Sequence, residues 1–322
     1  MFTINDSFEK SPSLMREVYC EKLIELANEN EDIVVLDADL VSSSGMKPFF
    51  AKFPDRAIQC GIAEANMIGV AAGLSAVGKI PFAHSFGCFA SRRVCDQIMI
   101  SAAYAQQNVR IIGSDPGITA AYNGGTHMPF EDMGVLRSIP GITLIEPADP
   151  IMLAEVLSQL AELYGVYYLR MARKDTAAIY REGSTFEIGR GNLLIDGTDV
   201  TVIASGIMVV EALKAAVYLK TEGLSAGVVD MFTWKPIDAE LIEYCARRTG
   251  ALVTAENHNI IGGLGSAVAE AAALTRPVPI EMVGVKDRFG QVGTEDYLRE
   301  EYDLTASVIV EAAKRAAARK SR

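Results

Sequence analysis

The sequence predicts an α/β protein built from two doubly wound domains. Three observations carry this reading. Short strand-like runs alternate with longer helical patterns along the whole chain. Several of the runs are continuously apolar rather than alternating, as strands buried on both faces are. One polar, irregular stretch, residues 174–190, separates two such series, which places the domains at 1–180 and 190–322. At 322 residues the chain is also long for a single core.

The elements follow in order. Residues 13–30 carry Leu14, Val18, Leu23 and Leu26 at near-helical spacing, with Ser13 as a candidate cap. "DIVVLDADL" reads as a buried strand ending in Asp37 and Asp39, at the end where open α/β sheets place ligands. After the loop "SSSG", "AIQCGIA" is a short strand entering the helix that begins near Glu64. Gly69 and Gly73 sit four apart in that helix. Each interior glycine costs about 1 kcal/mol, offset where another backbone approaches closely, either within the chain or from a second subunit. "KIPFAHSF" is a strand, 91–106 a helix, "VRIIGSD" a strand and 116–127 a loop. "PFEDMGVLRSI" is a short helix, "ITLIEPAD" a strand, 150–163 a helix and "GVYYLRMAR" the last strand of the first domain. The second domain reads as strand "DVTVIASG", helix 208–221, strand "SAGVVDMF", helix 238–248, strand "ALVTAEN", helix 264–274, strand "IEMVGV" and helix 305–319.

Composition excludes several classes. The net charge of −11, with no basic run before the tail "KRAAARKSR", argues against nucleic acid binding. The tail reads as a solvated helix end. Cys20, Cys60, Cys88, Cys95 and Cys245 form no CxxC and read as reduced, mostly buried thiols of a cytoplasmic protein. The N-terminus has no apolar signal core, and nothing is long and apolar enough to span a membrane. "GGLGSAV" at 262–268 lacks the third glycine of a dinucleotide fingerprint and reads as tight strand-to-helix packing.

Chemistry concentrates between Gln59 and His127. Glu64 precedes a run free of charge. It is either a helix-start acid facing free N–H groups or a buried proton-exchanging carboxylate whose pKa apolar neighbours would raise. Phe86 and Phe89, beside small residues, either fill a core or receive a flat ring. His127 follows "NGGT", where glycines let the backbone approach a ligand, and an imidazole there can move protons near neutral pH. His84 reads as a satisfied core histidine, and the pattern around His258 assigns it no role. Of Arg170 and Arg173, three apart on one strand, at most one need face a site. An acid, two aromatics and a histidine suit a flat, protonatable heterocycle.

Three segments, "GIAEANMIGVAAGLSAVGKIPFAHSFGCFASRR", "GGTHMPFEDMGVLRSIPGITLIEPAD" and "TAENHNIIGGLGSAVAE", resemble the C-terminal half of transketolases, and the similarity runs from about residue 12 onward. The chain looks like the C-terminal subunit of a split, two-subunit bacterial transketolase. The resemblance implies a thiamine-diphosphate pyrimidine-binding domain followed by a transketolase C-terminal α/β domain. It implies transfer of a two-carbon ketol unit between sugar phosphates, in carbohydrate metabolism of the pentose phosphate kind. By the same resemblance Glu64 exchanges a proton with the cofactor's aminopyrimidine, and Phe86, Phe89, Asp39, Leu40 and Ile118 surround it. His127 would face the substrate, and Arg16, Ser43 or Ser44, and Arg173 would hold its phosphate. The family's GDG…N motif, which holds a divalent metal such as Mg2+, is absent from this sequence. The resemblance therefore implies an N-terminal partner subunit that carries the motif, in a heterotetramer with two copies of each chain.

Departures from the family pattern bear on the sugar. Asn123 stands where many transketolases have an acid that contacts a substrate hydroxyl. Ser114 replaces a histidine before Asp115, and Arg92 replaces a tyrosine beside the cofactor. An unusual ketose phosphate, or a 1-deoxyxylulose-5-phosphate synthase-like reaction, is the near alternative. A 2-oxoacid dehydrogenase β chain and a non-catalytic partner subunit are further ones. "GGTH" and "ENHNIIGG" favour transketolase over the dehydrogenase, and Glu64, Phe89 and His127 favour an enzyme.

Overall fold

The computed structural model describes residues 1–320. An N-terminal arm bridges Ile4 to Tyr180 and Lys10 to Ala177 before the chain enters α1 (Met15–Glu29). Met15, Tyr19, Leu23 and Ala27 recur every fourth residue and are all buried, giving the helix one apolar stripe. Ser13 is not its cap: Leu14 holds that position, and the Leu14 N–H donates to the Glu17 carboxylate at 3.3 Å. Next come β1 (Ile33–Asp37), α2 (Lys47–Lys52), β2 (Ala57–Gln59), α3 (Glu64–Ala76) and β3 (Ile80–Phe86). The helix expected at 91–106 is irregular. A 3-10 turn (Arg92–Val94) leads into α4 (Cys95–Gln97) and then a π-helix (Ile98–Tyr104). After β4 (Val109–Ser114), the expected loop winds into two 3-10 segments, Gly117–Asn123 and Gly125–His127. The first domain ends with α5 (Asp132–Arg137), β5 (Ile142–Ile145), α6 (Pro150–Glu162) and β6 (Val166–Met171).

The second series is β7 (Asn192–Ile195), β8 (Val200–Ala204), α7 (Met208–Thr221), β9 (Ala226–Asp230), β10 (Thr233–Lys235), α8 (Ala239–Thr249), β11 (Leu252–Asn259), α9 (Leu264–Leu274), β12 (Ile280–Val285), α10 (Glu295–Glu301) and α11 (Ala306–Ala318). Ser321 and Arg322 of the basic tail lie outside the described residues. Among the described residues no helix is long and apolar enough to cross a membrane.

Two sheets result, ordered β10-β5-β6-β4-β3-β1-β2 and β12-β11-β8-β9-β7. Among the described residues the strand pairings within these sheets are parallel except β10 with β5 and β7 with β9. These two short strands, with α2 and α10, escaped the sequence reading because three to seven residues carry too little periodicity. β10 also crosses between the domains: it follows β9 of the second sheet but closes the edge of the first. The Lys235 ammonium then donates to the carbonyls of Arg137 and Ile139 at 2.8 and 2.5 Å.

The strand order sets the C-terminal ends of β1, β3, β4 and β6 side by side, the usual crevice of an open α/β sheet. On its flank, α3 turns an uncharged face outward. Ile62, Ala65, Asn66, Gly69, Gly73 and Val77 are all exposed. A Cβ added at Gly69 or Gly73 would meet nothing within 4 Å, which removes internal packing as the reason for these glycines.

Candidate functional site

The backbone at the crevice is strained. Asp39, Asp115 and Ala121 hold positive φ angles of 64°, 57° and 47°. Such conformations cost non-glycine residues of order 1–3 kcal/mol and gather at functional sites.

Phe86 ends β3, and Phe89 follows in the next turn. Their ring centroids lie 6.3 Å apart, and the His127 ring meets both edge-on, at 5.8 and 5.1 Å. Phe86 is nearly buried, whereas Phe89 and His127 are half-buried. The three rings thus form an open corner rather than part of a closed core. Thr126 Oγ1 lies 2.9 Å from His127 Nδ1 and engages that ring nitrogen.

Glu64 is the first residue of α3 and only 4 % exposed. Its carboxylate is bound not by the helix N–H groups but by Arg93, whose Nη1 donates to Oε1 at 2.8 Å. The helix-cap reading therefore fails, and the surroundings are not purely apolar as expected, because a cation faces the acid. The same guanidinium lies over Phe89, 3.9 Å from the ring centroid.

Arg173, just beyond β6, binds Asp115 through Nε at 3.1 Å and Nη2 at 2.9 Å. It also donates to the Ser43 carbonyl at 3.4 Å and lies over Phe86 at 5.4 Å. Burial pushes the Asp115 carboxyl up, and the Arg173 charge opposes that rise. Arg170 is different. It is fully buried between Asp132 at 2.9 Å and Glu146 at 2.5 Å. Only Arg173 of the two joins the crevice.

The remaining expected residues are spread more widely. Asp37 is buried, accepts the Leu40 N–H and the Ser44 hydroxyl, and faces His84 Nδ1 at 3.5 Å. Ser44 is consequently turned into the core, whereas Ser43 meets Arg173 through its carbonyl. Asp39 is exposed, its N–H donating to Gln59 Oε1 at 2.7 Å. Arg16, in α1, is half-buried against Gly45 of the loop that carries Ser43 and Ser44. His84 is buried but not satisfied, since neither ring nitrogen has a hydrogen-bond partner. The Ser114 hydroxyl is likewise buried and unpartnered, and Asn123 is exposed. Arg92 binds Glu131 at 2.5 Å and the Thr126 carbonyl at 3.2 Å, which ties down the histidine loop.

The second domain reaches the site through the end of β11. Asn257, fully buried, donates from Nδ2 to the Pro116 carbonyl at 2.9 Å and accepts the Ile118 N–H on Oδ1 at 3.0 Å. Between them Gly117 sits at φ +50°, where a Cβ would lie 2.2 Å from Asn257 Oδ1. Neither Asn257 nor Arg93 was singled out in the sequence. Their importance lies in partners 139 and 29 residues away, which no local spacing announces. His258 is a buried brace: Nε2 accepts the Gly134 N–H at 3.2 Å, and burial pushes its pKa down to about 4. Glu256 accepts the N–H groups of Leu264 and Gly265 at 2.6 and 2.8 Å. Its carboxylate thus fills the helix N-terminus where a dinucleotide's phosphates would sit, which removes that alternative.

Comparison with known proteins accords with this geometry. The model of the transketolase pyrimidine-binding domain matches residues 12–177, and that of the transketolase C-terminal domain matches residues 189–309. The 6-deoxy-6-sulfo-D-fructose transketolase subunit SqwH of Clostridium sp. (strain MSTE9) is 51% identical over 307 residues, covering 95% of each chain. An apulose-4-phosphate transketolase subunit of Phocaeicola vulgatus is 35% identical, over 84% of this chain and 87% of its own. A solved structure described as a split gene transketolase, inactive beta4 tetramer, superposes with a TM-score of 0.90 at 44% identity, covering 96% of this chain and 99% of its own. Human transketolase is 35% identical over 80% of this chain, but only 41% of its own length is matched. On these grounds the chain belongs to the transketolase family and carries that family's pyrimidine-binding and C-terminal domains.

Proposed function

We propose that this chain is the pyrimidine-binding subunit of a two-subunit transketolase that moves a two-carbon ketol unit from a ketose with a terminal phosphate or sulfonate to an aldose phosphate. The observation that carries the reading is the corner of Glu64, Phe86, Phe89 and His127. Arg93 tests its fit. The corner already holds a flat, N–H-bearing group, stacked on Phe89 and hydrogen-bonded to Glu64. An aminopyrimidine offers the same two features.

Thiamine diphosphate, when bound, supplies the carbon nucleophile and electron sink that ketol transfer requires. Glu64 then holds a proton against a ring nitrogen and exchanges it. Phe86 and Phe89 would stack on the ring, and Leu40, Ile118 and Asp39 would close its surroundings. His127 moves a proton at a substrate oxygen. Arg173, with Arg16 and Ser43, orients the terminal oxyanion, since a guanidinium fork matches phosphate and sulfonate alike. Asn123, an uncharged amide, reads a sugar hydroxyl.

The bare, uncharged face of α3 beside Glu64 suits a subunit contact. We assign it to an N-terminal partner that brings the diphosphate-binding half and the divalent metal, Mg2+ or another, in a cytoplasmic heterotetramer. The related split-gene chain that assembles as a beta4 tetramer is described as inactive, which supports dependence on a partner. The relatives named for a sulfofructose and for apulose-4-phosphate support a donor outside the usual pentose pair.

The test is reconstitution with the product of a neighbouring gene that encodes a GDG…N subunit. With thiamine diphosphate and Mg2+, ketol transfer is measured from 6-deoxy-6-sulfofructose and from xylulose 5-phosphate. Turnover of either donor by the pair, and by neither chain alone, is expected. A pair that retains no thiamine diphosphate overturns the reading.

A further inference from the structure

We propose that Arg93 is a placeholder for the cofactor's aminopyrimidine: in the free subunit its guanidinium occupies the ring face of Phe89 and the hydrogen-bonding position of Glu64, and must leave both before the cofactor binds. The inference rests on the cofactor reading above.

The geometry makes the overlap specific. One planar group makes both contacts at once, lying 3.9 Å from the Phe89 centroid while Nη1 donates to Glu64 Oε1 at 2.8 Å. A guanidinium is flat, stacks on aromatic faces and donates in its own plane. Those are the demands an aminopyrimidine would meet at the same two residues. A Lys ammonium could satisfy the acid but not cover the ring.

The two partners are unequally free. The Glu64 side chain is 4 % exposed and the Arg93 side chain 44 % exposed. Arg93 can therefore swing into water, but Glu64 cannot follow. Without Arg93 a buried carboxylate would stand unpaired, a costly state. The pair thus keeps Glu64 satisfied in the free chain, and Arg93 leaves only when another N–H-bearing group takes its place. Its backbone has little room to move. The adjoining Arg92 is fastened to Glu131 and Thr126, and Arg93 lies in a 3-10 turn that leads directly into α4. The motion is a side-chain rotation, not a lid closing.

A self-occupied site lowers apparent affinity by the fraction of molecules that are open. If about one molecule in ten is open, removing Arg93 tightens cofactor binding about tenfold. Two measurements test this. In the free chain, coupling of Glu64 to a water-soluble carbodiimide and an amine, read by mass spectrometry, should be about tenfold faster in Arg93→Ala than in wild type. Arg93→Lys should fall between them. In the reconstituted pair, titration with thiamine diphosphate and Mg2+ should give a Kd about tenfold lower for Arg93→Ala. Equal labelling rates, or weaker cofactor binding by Arg93→Ala, overturn the placeholder role and leave the function standing. Absence of cofactor binding by both wild type and variant overturns both.

Discussion

Replacing Asn257 with alanine probes whether the second domain holds the site in shape. The substitution keeps the Asn257 carbonyl, and with it the 2.9 Å bond from Arg170 Nη2. It removes the amide that pairs with the Pro116 carbonyl and the Ile118 N–H, both buried. A buried backbone group left without a partner costs about 1–3 kcal/mol, so two would cost about 2–6 kcal/mol if nothing relaxed. The space freed is polar and can admit a water, which brings the expectation to about 2–4 kcal/mol. At 1.36 kcal/mol per decade that is roughly a 30- to 1000-fold rise in local opening. Hydrogen exchange of peptides spanning 116–127 should accelerate by that factor, while α9 and β12 keep their protection. The reconstituted pair should lose kcat/KM for the sugar more than cofactor affinity, because His127 rides on the released segment. Asn257→Asp, which sets a buried carboxylate oxygen against the Pro116 carbonyl, should open the segment at least as far as alanine. Exchange unchanged within twofold in Asn257→Ala would refute the brace.

Glu64→Gln should abolish ketol transfer in the pair while leaving the thermal transition and subunit stoichiometry intact; retained turnover would remove Glu64 from its role. His127→Ala should lower kcat by about 10²–10⁴-fold with cofactor Kd nearly unchanged, and an unaltered rate would exclude it as a proton-transfer group. Burial pushes the carboxyls of Asp230 and Glu256 up to about 8, against about 4 in an unfolded chain. The folded state therefore binds protons that the unfolded state releases, and stability falls as pH rises through that window. His258, held down to about 4, works in the opposite sense below about 6.5, so the decline stands clear between about 6.5 and 8. Urea midpoints across that range should drop, and Asp230→Asn should flatten the slope; a flat wild-type profile would contradict the burial of these acids.

Much of the fold was legible because it is written locally. The short apolar run "IVVL" and the β-branched "VRII" read as strands covered on both faces, and they became part of β1 and β4. The lone acid at Glu64, the paired phenylalanines and the glycine-led histidine stood out against their neighbours, and the structure brings Phe86, Phe89 and His127 into one corner with Arg93 and Glu64 behind them. Other readings failed where sidedness or a distant partner decides. His84 has the setting of a satisfied core histidine, yet among the described residues neither ring nitrogen is hydrogen-bonded, with Asp37 lying 3.5 Å from Nδ1. Gly69 and Gly73 have the spacing of a packed helix pair, but both face open space, which excludes packing within the chain and leaves the contact with a second subunit.

The sequence by itself determined two α/β domains, all of their strands but the short β7 and β10, and the concentration of an acid, two phenylalanines and a histidine between Gln59 and His127. Those properties rest on periodicity and composition over tens of residues at most. Only the tertiary structure decided that β10 of the second series closes the first sheet, that Asn257 grips the loop before His127, and that Arg93 covers Glu64 and Phe89. The corner of Glu64 and the phenylalanines is thus visible in the sequence as residue types. What fills it and what braces it emerged only from the folded chain, because each depends on one side chain meeting one distant group, and such pairings leave no periodic trace.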